Sequence, residues 1–514
     1  MILVLTAALY AWRLDTRPIY LGGDEAIFAT HAYAIASTGR DIDGQRMPLL
    51  FQLEEIGRWY QPILFYLIAL ILKVAPLAEW SIRIPTVVIG VLDVWLLYAV
   101  ARRIVPTVSR ALLGAAMLAL TPAHLIFSRQ ALDYICPLPF VLGWLWCLLT
   151  SIETGSVPLA LAGGLLLGVG FYSYIGAWPL MPFYVIVTWI AVRVSRQKVS
   201  LSIATTVGFA LAMLPLVVWL RWHPGVWQTV VGAYRVYDAR RLTLLQGVKD
   251  FLNYDGVQER LSVYWDYFNP AYLFFAGGSN LTTSTRRAGV FLLAVAIFLV
   301  CGVYALWKER RLTVGIVLLA GLASAPLGAT LVDVRYMIQR ELLVLAFVVL
   351  IATVGAAWML RHPNRAVRAI AIGLVLSMPV QFAYFYRDYM TAYPLRSLGW
   401  FDPADFGDVA EYVISSDRTA AVPAVYFRND LDDAPPRWRF YAMKLHREDL
   451  LGRTRFIDGE QGDVNEAPPG TLLVFYANDP KLSRYVGAGA CCSIARTVTN
   501  AAGARAAVIL RKER

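Results

Sequence analysis

Asp24 and Glu25 stand side by side after Gly22-Gly23 and before an apolar, helix-prone run. A carboxylate so placed can take the proton of an attacking hydroxyl. Low-dielectric surroundings raise its proton affinity and make it a better base. Helical neighbours point about 100° apart, so the two acids would divide the work. One would serve as base while the other holds a sugar or a cation. Acids in a first helical turn also serve as plain capping, because they suit the helix dipole. Arginines supply complementary chemistry. Arg58 and Arg83 flank the apolar segment 60–76, and Arg129, Arg335 and Arg340 sit at the ends of later apolar runs. A guanidinium fork matches phosphate oxygens. Snorkelling to lipid headgroups is the plainer account of such cations.

Other polar residues lie close to these ends. Arg129 and Asp133 are four apart and can pair with each other. Asp333, Arg335, Arg340 and Glu341 cluster at one boundary, as a structural network or as the wall of a polar cavity. Tyr172 and Tyr174 fall inside a span and read first as packing residues. Gly277-Gly278-Ser279-Asn280 is a turn that can cradle an anion only weakly. Of the five cysteines, Cys136, Cys147 and Cys301 lie in apolar runs, and the neighbours Cys491 and Cys492 are poorly placed for a disulfide. No Cys/His spacing fits zinc. No cofactor is expected; a divalent cation at Asp24/Glu25 is conceivable but not favoured.

The elements that must position these residues follow from composition. The chain is 58% hydrophobic and 16% charged, against about 45–50% and about 25% in soluble domains. That excludes a disordered chain, a coiled coil, a small disulfide scaffold and a single soluble domain. The net charge of +11 shows no basic stripe interleaved with aromatics, so nucleic acid is not an expected partner. A spanning helix needs about 20 apolar residues. Candidates are 1–12, 83–101, 111–128, 134–151, 157–175, 177–192, 201–220, 288–307, 312–330, 341–360 and 366–386. The first is short as written, which suggests a late start or a missing native N-terminus, and it lacks the marks of a signal peptide.

Basic residues cluster at Arg102/Arg103/Arg110, Arg193/Arg196/Lys198, Lys308/Arg310/Arg311 and Arg361/Arg365/Arg368. With eleven spans and the N-terminus inside, all four fall on the cytoplasmic side. Residues 13–82, 129–133, 221–287, 331–340 and everything beyond about 386 then face outward. This parity requires 60–76 to be a partly inserted, non-crossing helix. The segment Ala26–Ser37 reads as amphipathic and could lie along the membrane surface. After 386 the apolar runs stop. Strand-like Ala424–Phe427, Leu472–Tyr476 and Ala506–Leu510 alternate with helix-like Phe406–Ile414 and Trp438–His446, which predicts a small extracytoplasmic α/β domain over 387–514.

Several runs resemble one family. They are Asp24-Glu25-Ala26, Thr38-Gly39-Arg40-Asp41, Pro48-Leu49, Tyr60-Gln61-Pro62, Arg83-Ile84-Pro85, Thr121-Pro122-Ala123-His124 and Ser128-Arg129. Phe274–Leu281 and Gln339-Arg340 belong with them. In this order over about 1–386, they look like the bacterial branch of the GT-C membrane glycosyltransferases, which includes protein O-mannosyltransferases and lipid A aminoarabinose transferases. The resemblance implies a mainly α, polytopic GT-C fold of about 11–13 spans, with a catalytic first outer loop over 13–82. It implies transfer of a sugar, with inversion, from a polyprenyl-phosphate carrier to an acceptor hydroxyl on a glycolipid, glycan or protein. This would occur at the periplasmic face of a bacterial inner membrane, with Asp24 as base and Glu25 as its partner. Arg58, Tyr60, Gln61, Arg83, Arg129, Asp133, Tyr172, Tyr174, Asn280, Arg335 and Arg340 are the candidate substrate contacts. Aminoarabinose transferases carry Glu-Lys where Tyr60-Gln61 precede the proline, and Arg where Ile27 stands, which argues against that narrow activity. A transporter or lipid flippase without covalent chemistry is the alternative; it predicts charges near span midpoints, of which Asp93 is the main one.

Overall fold

The computed structural model describes the chain except residues 54–57, 234–242, 333, 420, 432, 487–489 and 514. It divides into two compact units. One holds Met1–Trp12, Pro48–Leu64 and Pro85–Arg387; the other holds Arg13–Met47, Phe65–Ile84 and Asp388–Arg514. A division at 386/387 read from composition therefore differs in one respect: most of the first loop groups with the C-terminal segment.

Among the described residues, seven helices are long and apolar enough to cross a membrane. They begin with Glu79–Ile104 and Asp133–Thr154 and end with Val344–Arg361 and Arg365–Met390. Ile2–Ala11, Pro62–Leu72, Val108–Ala119, Val157–Gly170 and Leu293–Lys308 are shorter apolar helices. Each expected span coincides with one of these twelve. Pro62–Leu72 has 11 residues, about 16 Å of helix, roughly half a hydrocarbon core.

Prolines start several helices where no N–H is needed, as at Pro122 and Pro137. Gly155, at φ +70°, ends Pro137–Thr154. Close packing relies on small residues: a Cβ at Gly355 would lie 1.9 Å from the Phe298 carbonyl oxygen, and one at Gly208 2.2 Å from that of Leu161.

The four basic clusters fall at helix junctions that touch one another. Arg103 pairs with Glu153 at 2.9 Å, and Gln197 Nε2 donates to the neighbouring Ile152 carbonyl at 2.8 Å. Arg311 donates to the Ile104 carbonyl, and Arg361 pairs with Glu309 at 3.0 Å. All four thus gather at one end of the helical unit.

The second unit contains a five-stranded sheet in the order Thr454–Ile457, Val425–Arg428, Leu472–Tyr476, Arg505–Lys512, Cys492–Thr499. The first three strands are parallel, and the last two join antiparallel. Val425–Arg428 and Leu472–Tyr476 are near-continuously buried, as strands covered on both faces must be. Phe406–Thr419 and Ala434–Lys444 cover one face through Phe406, Val409, Val413 and Trp438. Cys491 and Cys492 are free thiols, their sulfurs 2.9 Å apart.

The Gly23–Thr38 helix belongs to this unit and packs on Ala434–Lys444. Ten of its 16 residues are buried, so it is an interior helix, not the surface-lying one that its sequence suggests.

Candidate active site

The chain turns into the Gly23–Thr38 helix through Gly22, whose N–H donates to Glu25 Oε2 at 3.0 Å. This closes the first turn through the acid at its third position. Glu25 is shut off from solvent, and Arg83 explains how a buried carboxylate persists there. Arg83 Nε donates to Glu25 Oε1 and Nη2 to Oε2, both at 2.8 Å. The remaining N–H groups reach the carbonyls of Leu14 at 3.1 Å, Pro18 at 3.3 Å and Tyr20 at 2.9 Å. Charge, fork geometry and hydrogen bonds are thus all met in one buried cluster. Arg83, named from sequence as a phosphate contact, ties Glu25 to the 14–20 segment.

Asp24 sits one residue earlier, half-buried in the same first turn. Gly23 passes so close to Asp433 that a Cβ there would fall 1.8 Å from its carboxylate oxygen. Arg437, fully buried, donates from Nε to the Leu21 carbonyl at 3.3 Å and from Nη2 to that of Phe401 at 2.5 Å. The entry to the helix is therefore held by Arg83 and Arg437. Tyr20 adds a third tie, donating to Asp405 Oδ2 at 2.8 Å. Burial, joined by the like charges of Asp408 and Asp402 and opposed by the Tyr20 bond, pushes the Asp405 carboxyl up to about 6.

The other candidates lie in the helical unit. Arg58 is exposed on strand Arg58–Tyr60, which pairs antiparallel with Phe51–Leu53, so that Tyr60 faces Phe51. Gln61 follows at 1% exposure, with neither amide atom hydrogen-bonded among the described residues. Arg129 is fully buried; it donates to the carbonyls of Leu9, at 3.2 Å, Tyr10, and Trp12, at 2.8 Å. Arg129 thereby satisfies the open carbonyl end of Ile2–Ala11. Asp133 opens the next helical turn after a break at Ser128–Leu132, so the two do not share a helix face.

Tyr172 has a structural task that Pro215 creates. Its hydroxyl accepts the Leu216 N–H at 3.2 Å and donates to the Ala212 carbonyl at 2.9 Å. It thus bridges a helical pair opened beside the proline. Asn280 Oδ1 accepts from the N–H and hydroxyl of Thr282, both at 2.7 Å, which shapes the turn after Gly277-Gly278. Arg335 pairs with Asp266 and donates to Ser262 Oγ at 3.2 Å. Asp333, named with it from sequence, lies outside the described residues.

Arg340 lies in a cleft with Tyr134, Tyr174, Gln339 and Glu341. Its guanidinium stands 5.9 Å from the Tyr174 ring centroid, and Tyr134 meets Tyr174 edge-on at 5.3 Å. Tyr272 donates to Glu341 Oε1 at 2.7 Å. Sequence reasoning missed Tyr134, Tyr272 and Asp266, which lie far along the chain from Tyr174, Glu341 and Arg335. It also missed the buried chain Tyr10–His124–Asp93, with 2.8 Å from Tyr10 Oη to His124 Nδ1 and 3.4 Å from Nε2 to Asp93 Oδ2. Asp93, the main charge that a transporter reading would use, thus faces His124 in the buried interior.

Comparison with solved structures decides the fold. The oligosaccharyltransferase AglB from Archaeoglobus fulgidus, in complex with an inhibitory peptide and a dolichol-phosphate, superposes with a TM-score of 0.53. It is 12% identical over 86% of this chain and 63% of its own. Apo ArnT from Cupriavidus metallidurans gives 0.50 at 15% identity, over 99% and 96% of the two chains. This is the GT-C fold. Within it, residues 61–222 match the family profile of dolichyl-phosphate-mannose-protein mannosyltransferases. A Bacillus subtilis protein described as putative mannosyltransferase YycA is 30% identical over 159 residues. The match spans 29% of this chain and 23% of that relative. The GT-C likeness covers both units, as the 99% coverage by ArnT requires.

Proposed function

We propose that this chain is a multi-pass membrane glycosyltransferase. It moves a sugar from a polyprenyl-phosphate carrier to an acceptor hydroxyl of a glycolipid, glycan or protein. The observation that carries this reading is the division of labour at the start of the Gly23–Thr38 helix. Glu25 is immobilised by Arg83 and Gly22, while Asp24 beside it is half-buried in the same rigid turn. That turn is set within a GT-C fold, and one member of the fold has been seen with a dolichol-phosphate.

Asp24 acts as general base. The acceptor oxygen attacks C1, the C1–O bond to phosphate breaks on the opposite face, and the acceptor proton passes to Asp24. The configuration inverts and the polyprenyl phosphate departs. A guanidinium is needed to neutralise the phosphate charge as it develops, and Arg340, in the aromatic cleft of the helical unit, is our candidate for it. The basic junctions gathered at one end of the helical unit support a cytoplasmic assignment for that end. The reaction then belongs at the outer, periplasmic face, where lipid-linked sugars rather than nucleotide sugars are presented.

The test is incubation of membranes containing the protein with labelled polyprenyl-phosphate sugars. Label moving into a glycolipid, glycan or protein fraction is the expected result. Label that stays on the carrier with every donor tried, while flipping across the bilayer, would support the transporter instead.

A further inference from the structure

His31, Asp41 and Asp43 bring one imidazole and two carboxylates together beyond the proposed base. Their donor atoms all lie within 4.8 Å of one another. His31 is 2% exposed on the Gly23–Thr38 helix, its ring edge-on to Phe65 at 5.6 Å. The acids lie on the turn that follows. That turn is built: Gly39 at φ +74° ends the helix, Gly44 at φ +80° reverses the chain, and Arg40 and Arg46 bridge across its base. Asp41 Oδ1 accepts the N–H of Asp43 at 3.1 Å and of Gln45 at 2.7 Å, so its carboxylate is oriented before any ligand arrives.

One further observation points to a cation. Asp41 is 6% exposed, yet among the described residues no side-chain cation forms an ion pair with it. Arg40, exposed on the turn, donates to the Gly44 carbonyl at 2.8 Å.

We propose that His31, Asp41 and Asp43 form a binding site for a first-row divalent cation such as Mn²⁺ or Zn²⁺. One nitrogen and two carboxylate oxygens suit these ions, and Asp43 on the exposed side leaves room for water ligands. Bonds of about 2.0–2.2 Å place ligands about 3–4 Å apart, within reach of small side-chain rotations. The ion would clip the middle of the helix that carries Asp24 to the turn beyond its end.

The experiment uses full-length protein in detergent, stripped with chelator and titrated with Mn²⁺. Binding is read by the electron paramagnetic resonance of free Mn²⁺ and by thermal unfolding. Mn²⁺ is the chosen probe because the neighbouring thiols Cys491 and Cys492 would compete for Zn²⁺. One saturable site is expected, with a melting temperature that rises with Mn²⁺. Asp43→Asn, an exposed substitution that keeps the fold, should weaken that site by about tenfold or more; His31→Gln should abolish it. Absence of saturable binding overturns the proposal. So does binding that Asp43→Asn leaves unchanged, or that disappears only with Cys491→Ser/Cys492→Ser.

Discussion

Arg83 meets Glu25 through two parallel N–H···O bonds of 2.8 Å, with both side chains closed to solvent. The pair joins residues 58 positions apart and fixes the turn from which Asp24 projects. Removing one partner leaves an uncompensated buried charge, a loss of about 3–5 kcal/mol. Arg83→Leu should therefore lower thermal stability sharply. Glu25→Leu/Arg83→Leu should recover much of that loss, because the desolvated charge goes with its partner. A double-mutant cycle on unfolding of the purified protein measures this. Equal destabilisation by the single and double variants would mean that packing, not charge, holds the turn.

The Asp405 carboxyl carries a pH dependence with a definite sign. Its pKa rises from 3.8 to about 6 in the fold. Between those values the folded chain binds more protons than the unfolded one, so stability falls as pH rises through the window. Asp405→Asn should flatten that slope and make the variant more stable above pH 6, by no more than about 2 kcal/mol once solvent screening is allowed for. Asn also tolerates the φ of +52° found there. Thermal melts across pH 4 to 8 check the sign; a variant that gains nothing above pH 6 would contradict it.

The two arginines of the 331–341 segment should separate kinetically. Arg340 faces the aromatic cleft, whereas Arg335 is half-exposed and paired with Asp266. Loss of a charge-assisted contact to the phosphate is worth about 1.5–3 kcal/mol. Arg340→Ala should reduce kcat/KM for the lipid-phosphate donor by about 10–100-fold. Arg335→Ala should change it little. Steady-state kinetics with varied donor decide between them.

Tyr172→Phe tests a packing role. The hydroxyl bridges Leu216 N–H and the Ala212 carbonyl beside Pro215, so its loss should cost about 1–3 kcal/mol of stability. Turnover per folded molecule should stay unchanged. A fall in turnover without a fall in melting temperature would assign Tyr172 to the substrate.

Much of the fold was legible because apolar runs of spanning length admit few readings. The basic junctions were legible because Arg102/Arg103, Arg193/Arg196, Lys308/Arg310 and Arg361/Arg365 stand between those runs. Strands Thr454–Ile457 and Cys492–Thr499 escaped because Arg455 and Arg496 break any clean alternation. The interior character of Gly23–Thr38 escaped because burial on several sides erases the amphipathic signal. The site was least legible where partners are distant. Nothing local to Glu25 announces Arg83, nothing near Arg335 announces Asp266, and Tyr172 gains its task only from Pro215. The doublet Asp24-Glu25 was visible as chemistry, but the partners that distinguish the two acids were not.

The proton transfer assigned to Asp24 is tested most directly by single-turnover transfer from a labelled polyprenyl-phosphate sugar, with purified Asp24→Asn compared to the unsubstituted protein. Asp24→Asn protein should melt normally, still bind the lipid phosphate, and transfer about 10²–10⁴-fold more slowly. Transfer at the unsubstituted rate by a well-folded Asp24→Asn protein would contradict it.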